Sequence, residues 1–326
     1  MFLLGKRHLK EVFLGIFLLF PLLLMGQGVK VILDTDIDSD VDDVGALAML
    51  HTLADHGRIE LLGVVVTSDD PYAPACTSAL NTYFGRPGLP IGVEPGIALN
   101  HHSRYTREIS EEYPSSFSDY EQAEDAVAVY RKLLVQSPDS SVVIISIGHL
   151  TNIARLLASP ADEISPLQGK ELVARKVKLW SCMGGHFPEG KEANFYRPDP
   201  ASTVNSIANW PGKVVFAGWE IGQEIITGGL FLKQYLSEKS PVWRAYQLYN
   251  NFSGRQSWDQ VAVLYAVSPD YWNLESGGRV VVADDGSNVW EEGEDSGQAY
   301  LKVSHSPEEL AKIIDALMVG VYSEGF

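Results

Sequence analysis

Six carboxylates are concentrated within ten residues near the start of the chain. They are Asp34, Asp36, Asp38, Asp40, Asp42 and Asp43. Such a density of negative charge is costly unless a cation is bound among the side chains. Several oxygen ligands with few nitrogen or sulfur ligands nearby favour Ca²⁺ or Mg²⁺ over zinc. The segment therefore predicts a site for a hard divalent cation.

Three known motifs offer alternative explanations for this aspartate segment. An EF-hand loop that starts at Asp34 fails, because Ser39 then takes the glycine position and Gly45 takes the position of the bidentate glutamate. Capping of a helix N-terminus explains one or two of the carboxylates and leaves four unexplained. Asp34 and Asp36 also fit the paired aspartates of a Mg²⁺-dependent phosphohydrolase of the haloacid dehalogenase type. That alternative stays open, although its downstream phosphate-binding residues are not convincingly placed.

Apolar strands that alternate with amphipathic helices position these aspartates. The predicted strands cover 29–33, 59–66, 89–93, 142–147, 177–183 and 214–217, and the predicted helices cover 41–56, 74–84, 121–136, 151–158, 241–251, 257–267 and 307–318. This alternation is typical of an α/β fold with an open, mostly parallel central sheet and helices on both faces, as in Rossmann-like proteins. Ligands of such sheets bind at the carboxyl ends of the strands, where the aspartates follow the first strand. Two further strands, 279–282 and 299–303, are predicted to belong to an appended piece.

The composition limits which class of protein the chain belongs to and which partners it binds. The chain has 326 residues, of which 45% are hydrophobic and 21% charged, a length that fits one large α/β domain or two smaller ones. Lys and Arg total 25 against 42 Asp and Glu, a net charge of −17, so we expect no nucleic-acid partner. Cys76 and Cys182 are the two cysteines, which excludes a disulfide framework and leaves open one bridge or two separate buried thiols.

The first residues have the pattern of a targeting segment. Three basic residues within the first ten positions precede an apolar run over 12–25. This run of about 14 residues is shorter than the ~20 that cross a bilayer. We therefore predict a signal peptide over residues 1–26, a single domain over residues 27–326, and a secreted or periplasmic protein with no stable membrane span after cleavage. An uncleaved membrane anchor is the alternative.

Two long stretches, 94–120 and 184–200, lack a strong periodicity. Stretches of this length in a compact domain are typical of lids or binding loops. The alternative for both is a solvated surface insertion.

Four motifs at predicted strand ends follow one another in a familiar order. They are Asp34-Thr35-Asp36 followed by Asp42-Asp43, Ile147-Gly148-His149-Leu150-Thr151-Asn152, Met183-Gly184-Gly185, and Trp258-Asp259. In these motifs, spread over residues 29–267, the chain resembles the inosine-uridine type nucleoside hydrolases, as a divergent secreted member. The resemblance implies the nucleoside hydrolase fold, calcium-dependent N-ribohydrolase activity, a small nucleoside or ribosyl substrate and a homo-oligomer.

The resemblance also implies a set of calcium ligands. Asp36 matches the residue that binds the metal and activates a metal-bound water as the general base. Asp43 matches a bidentate ligand, Asp259 a third carboxylate, and the backbone carbonyl of Ile147 a main-chain ligand. Water molecules and sugar hydroxyls complete the six to eight oxygens that calcium takes.

A second set of residues matches groups that contact the substrate. Asp42, Glu192 and Asn194 match groups that hydrogen-bond the ribose hydroxyls, and we expect Asp70 near the sugar. Cleavage of an N-glycosidic bond passes through an oxocarbenium-like state, so carboxylates around the sugar stabilise the positive charge that develops.

The sequence departs from the family pattern at the group that assists the leaving base. Trp258 stands where many members have the histidine that protonates this base, and a tryptophan stacks on a base but is no acid. His101 and His102 are candidate catalytic acids, with His186 as a third, because a histidine pKa near neutrality suits proton transfer. A further departure is that Asp38 and Asp40 lengthen the aspartate motif.

These observations predict calcium-dependent hydrolysis of ribonucleosides, with a preference for purines, to ribose and free base in nucleoside salvage. A ribosyl-binding or nucleoside-binding protein without turnover is one alternative. A hydrolase of another ribosyl compound is a second, and the phosphohydrolase is a third.

Overall fold

The computed structural model of the protein describes residues 28–117 and 120–323. The predicted signal peptide, residues 1–26, lies outside the described residues. Within the described part of the chain, none of the helices is long and apolar enough to cross a membrane.

The described residues form fourteen strands. They are β1 (Val29–Thr35), β2 (Ile59–Val66), β3 (Ile91–Val93), β4 (Glu124–Asp125), β5 (Val142–Ser146), β6 (Val177–Met183), β7 (Glu189–Lys191), β8 (Val214–Ala217), β9 (Ile226–Thr227), β10 (Arg255–Gln256), β11 (Trp272–Ser276), β12 (Gly278–Val282), β13 (Ser287–Glu292) and β14 (Gln298–Val303). Nine of them form the central sheet in the order β11-β14-β8-β6-β5-β1-β2-β3-β4. Every neighbouring pair in this sheet is parallel except β11 with β14. The predicted fold class is therefore confirmed.

Thirteen helices occur in the same part of the chain. They are α1 (Asp42–Asp55), α2 (Ala73–Tyr83), α3 (Thr106–Glu112), α4 (Ala126–Gln136), α5 (Thr151–Ala158), α6 (Gly169–Lys176), α7 (Ala193–Tyr196), α8 (Pro200–Asn209), α9 (Trp219–Gly222), α10 (Leu230–Tyr235), α11 (Pro241–Asn250), α12 (Trp258–Val267) and α13 (Pro307–Met318). Short 3-10 turns occur at Tyr120–Gln122 and Pro269–Tyr271.

Strand side chains divide between two hydrophobic cores, one on each face of the sheet. Val31 and Leu33 of β1 pack in the core that also contains residues of α1, α12 and α13. Ile32 packs in the opposite core with residues of α4, α5 and α6. Successive side chains of a strand point to opposite faces, so a run of apolar residues such as β1 is buried on both sides. This burial fixes the strand whose end carries the aspartates.

Most predicted elements are observed within one or two residues of their predicted bounds, and β2, β6, β8 and α5 match at both ends. Helix α4 begins five residues later than predicted. Asp125 caps it, because its carboxylate accepts hydrogen bonds from the backbone amides of Val127 at 2.7 Å and Ala128 at 3.3 Å. The helix therefore starts at Ala126, after the short strand β4.

One prediction about the second half was wrong. The strand predicted over 299–303 is not part of an appended piece, because β14 pairs in parallel with β8 inside the central sheet. Ala299, Tyr300 and Leu301 of this strand are buried. Burial of these side chains stabilises β14 inside the central sheet. The strand predicted over 279–282 does lie apart, in a three-stranded sheet in the order β12-β13-β7.

The long aperiodic stretches contain short elements, namely α3 in the first and β7 with α7 in the second. Both cysteines, Cys76 and Cys182, are free and buried. The sequence left open one disulfide bridge or two separate buried thiols, and the structure has two separate thiols.

Candidate active site

The loop from β1 to α1 lies at the carboxyl end of the parallel strands, beside the ends of β5 and β6. Side chains from these strand ends line one cavity together with residues of α12. The lining residues are Asp36, Ser39, Asp40, Asp42, Asp43, Ile147, Met183, Glu192, Ala193, Asn194, Trp219, Arg255, Trp258 and Asp259. Eight of the eleven residues predicted for the site are among them.

Three buried aspartates form the most crowded part of the cavity. Carboxylate oxygens of Asp42, Asp43 and Asp259 lie within 4.8 Å of one another. Asp42 and Asp43 stand in the first turn of α1, and Asp259 stands in the first turn of α12. Helices α1 and α12 pack against each other, and the N-terminal end of each helix favours negative charge. The result is a set of hard oxygen donors that suits a divalent cation.

The electrostatics of this cluster support the same assignment. Burial raises the pKa of Asp43 well above its usual range, and the charges of Asp36 and Asp42 raise it further. Burial and the charge of Asp42 have the same effect on the pKa of Asp259. The hydroxyl of Thr35 donates to Asp43, and the backbone amide of Asp259 donates to Asp42 at 3.3 Å. Two neutral donors do not compensate four neighbouring carboxylates, whereas a cation does.

Asp36 faces the same cavity from the loop after β1. Burial raises its pKa well above the usual range, and the charges of Asp38 and Asp42 add to the effect. A bound cation would offset this unfavourable charge, as for the aspartate trio. Gly148, which follows β5, permits this placement, because a Cβ atom at position 148 would lie 2.7 Å from the backbone nitrogen of Asp36.

Glu192 and Asn194 form the wall of the cavity near β5 and β6. The side-chain amide of Asn194 donates to the carbonyl oxygens of Ile147 at 3.1 Å and Met183 at 3.3 Å. Glu192 accepts from the backbone amides of Gly185 at 3.0 Å and Asn194 at 2.8 Å. Burial raises the pKa of Glu192 to about 7, against the lowering effect of these amides. A carbonyl oxygen has two lone pairs, so Ile147 keeps one for a cation.

The two inserted aspartates do not add uncompensated charge to the cavity. Asp38 accepts a hydrogen bond from the hydroxyl of Ser68 at 2.5 Å and lies 3.1 Å from Nε2 of His102. Asp40 forms a two-pronged ion pair with Arg255, whose Nε lies 2.8 Å from Oδ1 and whose Nη2 contacts Oδ2. The longer motif therefore directs each additional carboxylate toward a partner outside the cluster.

His101 and His102 lie in the loop after β3, and neither they nor Asp70 line the cavity. Nδ1 of His101 is 2.8 Å from Oδ2 of Asp70. Partial burial lowers the pKa of His102, but the charges of Asp38 and Asp69 outweigh this and raise it above the usual value. Both histidines therefore connect their loop to carboxylates beside the cavity. The catalytic role predicted for them stays a prediction, as does the contact of Asp70 with the sugar.

Two tryptophans form the mouth of the cavity. The indole Nε1 of Trp258 donates to the carbonyl oxygen of Trp219 at 3.0 Å. Gly222 makes room for this contact, since a Cβ atom there would lie 2.5 Å from Cα of Trp258. Trp219 is 38% exposed, whereas the carboxylates of the cluster are buried, so the aromatic surface lies nearer to solvent. The ring of His186 packs 5.2 Å from that of Trp219.

The sequence matches the family model of the inosine-uridine preferring nucleoside hydrolases over residues 31–316. The chain belongs to this family. It is accordingly a hydrolase that acts on N-glycosyl compounds. Membership decides against the phosphohydrolase interpretation of Asp34 and Asp36. No curated protein matched the sequence.

Solved structures of nucleoside hydrolases share the fold of this chain. A plant nucleoside hydrolase is similar with a TM-score of 0.69 at 18% identity, covering 89% of this chain and 99% of its own. An inosine-uridine preferring nucleoside hydrolase from Bacillus anthracis has a TM-score of 0.67 at 17% identity, with 90% and 100% covered. A purine-preferring ribonucleoside hydrolase from Gardnerella vaginalis has a TM-score of 0.67 at 18% identity, with 89% and 99% covered.

In this nucleoside hydrolase the first aspartate of the motif supports the site from behind. Asp34 accepts from the hydroxyl of Tyr130 at 2.8 Å and from the side-chain amide of Asn152 at 3.4 Å. Burial raises the pKa of Asp34 to about 7, although both hydrogen bonds lower it. Asn152 also donates to the carbonyl oxygen of Val66 at 3.3 Å, so the ends of β1, β2 and α5 are joined beneath the cavity.

Sequence reasoning did not assign six of the fourteen lining residues to the site, among them the large side chains of Trp219 and Arg255. Trp219 follows the end of β8, so the rule that ligands bind at the carboxyl ends of strands was a signal for it. Arg255 stands three residues before Trp258, but no spacing rule pairs it with Asp40, 215 residues away.

Proposed function

We propose that this nucleoside hydrolase is a calcium-dependent enzyme that cleaves the N-glycosidic bond of ribonucleosides, with a preference for purines, to ribose and free base. The observation that carries the proposal is the buried trio of Asp42, Asp43 and Asp259 at the floor of a cavity whose mouth is aromatic. Family membership supports ribonucleoside hydrolysis in general. The finer points rest on the oxygen donors of the cavity, on Asp36 and on the two tryptophans at the mouth.

The donor set supports calcium as the ion. Asp43, Asp259 and Asp36 supply carboxylate oxygens, and Ile147 supplies a carbonyl oxygen on the same cavity surface. These are hard oxygen ligands, and the described residues that line the cavity include neither cysteine nor histidine. When bound, the ion lowers the pKa of water and fixes the direction of attack. Asp42 lies within the same group of oxygens, so its predicted contact with a ribose hydroxyl places the sugar directly beside the ion site.

Asp36 acts as the general base in this proposal. It takes a proton from the attacking water as the water oxygen bonds to C1′ of the ribose. Its carboxylate lines the same cavity as the aspartate trio, so it stands beside the proposed ion site. Asp42 and Glu192 then face the positive charge that develops on the sugar as the bond to the base breaks, and they stabilise it electrostatically. Asn194 orients a hydroxyl of the ribose.

The preference for purines rests on the cavity mouth. Trp219 and Trp258 line it, and an extended flat base gains more from aromatic contact than a small one does. Trp258 stacks and transfers no proton, so assistance to the leaving base comes from another group. His101 and His102 remain the proposed acids, and they reach the site only through movement of their loop, since they do not line the cavity.

The proposal is tested by release of reducing sugar from inosine, guanosine, adenosine, uridine and cytidine by the purified, calcium-loaded protein. Asp36→Ala is the matched negative control, because it removes the proposed base and leaves the aspartate trio in place. Release that requires Asp36, falls on chelation, and is faster with purines supports the proposal. Absence of release from all five nucleosides, with calcium still raising the melting temperature, would refute nucleoside turnover and favour another ribosyl compound or a binding role.

Localisation and assembly are separate proposals. We propose that residues 1–26 are removed as a signal peptide and that the protein is secreted or periplasmic. Mass spectrometry of the protein isolated from its native cell tests this through the N-terminal residue, and an intact N-terminus in the membrane fraction would refute it.

We also propose a homo-oligomer, which light scattering coupled to size-exclusion chromatography tests.

A further inference from the structure

Trp219 and Trp258 both line the cavity, but they differ in what already covers their rings. The guanidinium group of Arg255 lies over the ring of Trp258, with Cζ 4.9 Å from the ring centroid. The backbone of Gly222 lies against the same indole, since a Cβ atom at position 222 would lie 2.5 Å from Cδ1 and 2.8 Å from Cγ of Trp258. Part of the ring surface of Trp258 is therefore already in contact with other residues.

Several contacts hold Arg255 over this ring. Its Nε lies 2.8 and 2.9 Å from the two carboxylate oxygens of Asp40, and its Nη2 contacts one of them. The guanidinium group also lies 5.8 Å from the ring centroid of Tyr249. The charge of Arg255 is thus paired with a carboxylate of the cavity. A base that stacked on this face of Trp258 would have to displace an ion pair and a cation–π contact.

The indole of Trp219 is more open. It lines the same cavity and is 38% exposed. The ring of His186 lies 5.2 Å away at an interplanar angle of 56°, and a tilted contact of this kind leaves more of the indole face open than a parallel stack does. Of the two tryptophans, Trp219 therefore offers the larger free aromatic surface to a ligand.

Trp219 is also fixed relative to the wall of the cavity at which the ribose is proposed to bind. Its backbone amide donates to the carbonyl oxygen of Gly185 at 2.9 Å, and the amide of Gly185 donates to Glu192 at 3.0 Å. The carbonyl oxygen of Trp219 accepts from the indole of Trp258 at 3.0 Å. Because the sugar is proposed to lie beside the ion at the floor, its base extends toward the mouth, where the indole of Trp219 stands.

We propose that the base stacks mainly on Trp219, which makes this residue the main determinant of the bases that the enzyme accepts. This inference rests on the proposed function and names the side chain behind its base preference. Stacking on an indole discriminates by the area of the flat ring rather than by hydrogen bonds, because every base has a π face. Trp258, partly covered by the Asp40–Arg255 pair, contributes the smaller share of the aromatic contact.

The test measures ligand binding in the calcium-loaded Asp36→Ala protein, which keeps the cavity and removes the proposed general base. Trp219→Leu and Trp258→Leu are each added to it, and inosine and ribose are titrated calorimetrically. We expect Trp219→Leu to raise the Kd for inosine about 10- to 100-fold, as for loss of one base–aromatic stack, and to leave ribose binding unchanged. Trp258→Leu should raise the Kd for inosine only a few fold. Trp210→Leu is the matched control, because Trp210 packs against Trp180 and does not line the cavity.

The outcomes separate the inference from the proposed function. The assignment would be overturned by unchanged inosine affinity in Trp219→Leu, by equal losses of inosine and ribose affinity in that variant, or by a loss in Trp258→Leu as large as that in Trp219→Leu. Each of these results leaves nucleoside hydrolysis by the wild type intact. A wild-type protein that neither binds nor hydrolyses any nucleoside refutes the proposed function itself.

Thermal unfolding checks that each variant folds. If Trp258→Leu does not fold, Trp219→Phe and Trp258→Phe are compared instead, because phenylalanine keeps a smaller aromatic ring at each position. A greater loss of inosine affinity at position 219 supports the assignment, and an equal or greater loss at position 258 overturns it.

Discussion

Replacing Gly148 with alanine tests whether close packing of the β5 end against the aspartate loop sets the position of the general base. The added Cβ would lie 2.7 Å from the backbone nitrogen of Asp36 and 2.8 Å from both its Cβ and the hydroxyl oxygen of Thr67. Ordinary contact begins at 3.4 Å, so the backbone of Asp36 must move by about 0.7 Å. Overpacking of this kind costs roughly 1–3 kcal/mol of stability.

The larger effect is expected on catalysis. A misplacement of about 1 Å lowers rates by up to roughly 100-fold, so we expect Gly148→Ala to lower kcat for inosine by about 10- to 100-fold. The assay is reducing-sugar release, with thermal unfolding alongside. Gly88→Ala is the matched control, because an added Cβ there meets no atom within 4 Å. Wild-type activity in Gly148→Ala would refute the view that this glycine positions Asp36.

Three further results are expected. Burial raises the pKa of Asp34 to about 7 from an ordinary 3.8, so between these pH values the folded state binds a proton that the unfolded state does not. The contribution of Asp34 to the free energy of unfolding is therefore complete below about pH 4 and falls by on the order of 4 kcal/mol as the pH rises to 7. Asp34→Asn should flatten the melting-temperature profile measured between pH 4 and 8. Chelation of calcium should lower the melting temperature at pH 7, an effect that Asp43→Asn should largely abolish if the carboxylate cluster holds the ion. His102 has a raised pKa in the folded state. The stabilisation from its pairing with Asp38 is therefore complete below about pH 6.5 and is lost as the pH rises through the folded-state pKa. His102→Gln should remove this part of the pH dependence of the melting temperature, and an unchanged dependence would contradict the pairing.

Local patterns in the sequence predicted seven of the nine strands of the central sheet and the motifs at their ends, but not the strands β4 and β11. A strand buried on both faces, such as β5, appears in the sequence as a continuous apolar run. A parallel sheet brings the carboxyl ends of such strands together. Asp36, Asp42 and Asp43 were therefore predicted to lie at this edge of the sheet, whereas Asp259 was assigned to the site by the resemblance to the family. The place of β14 was missed because apolar alternation predicts a strand but not its neighbour.

Side-chain direction was the other limit. The spacing of Asp38 and Asp40 within the aspartate segment does not distinguish a carboxylate that faces the cavity from one that turns away, because both lie in an irregular loop. Their directions depend on Ser68 and Arg255, which the fold brings in from other elements. His101 and His102 were placed by motif order alone, and the loop that carries them packs beside the cavity.

The ion pair between Asp40 and Arg255 joins residues 215 positions apart, and Asp259 reaches the aspartate loop from the same distant segment. Loop closure over this distance has an entropic cost that the contacts of the folded chain offset. The site is therefore complete only when both segments occupy their places in the fold. A nascent chain that still lacks residues 255–259 has the aspartate loop but no closed cavity, so ion binding by this cluster reports that the chain has folded through α12.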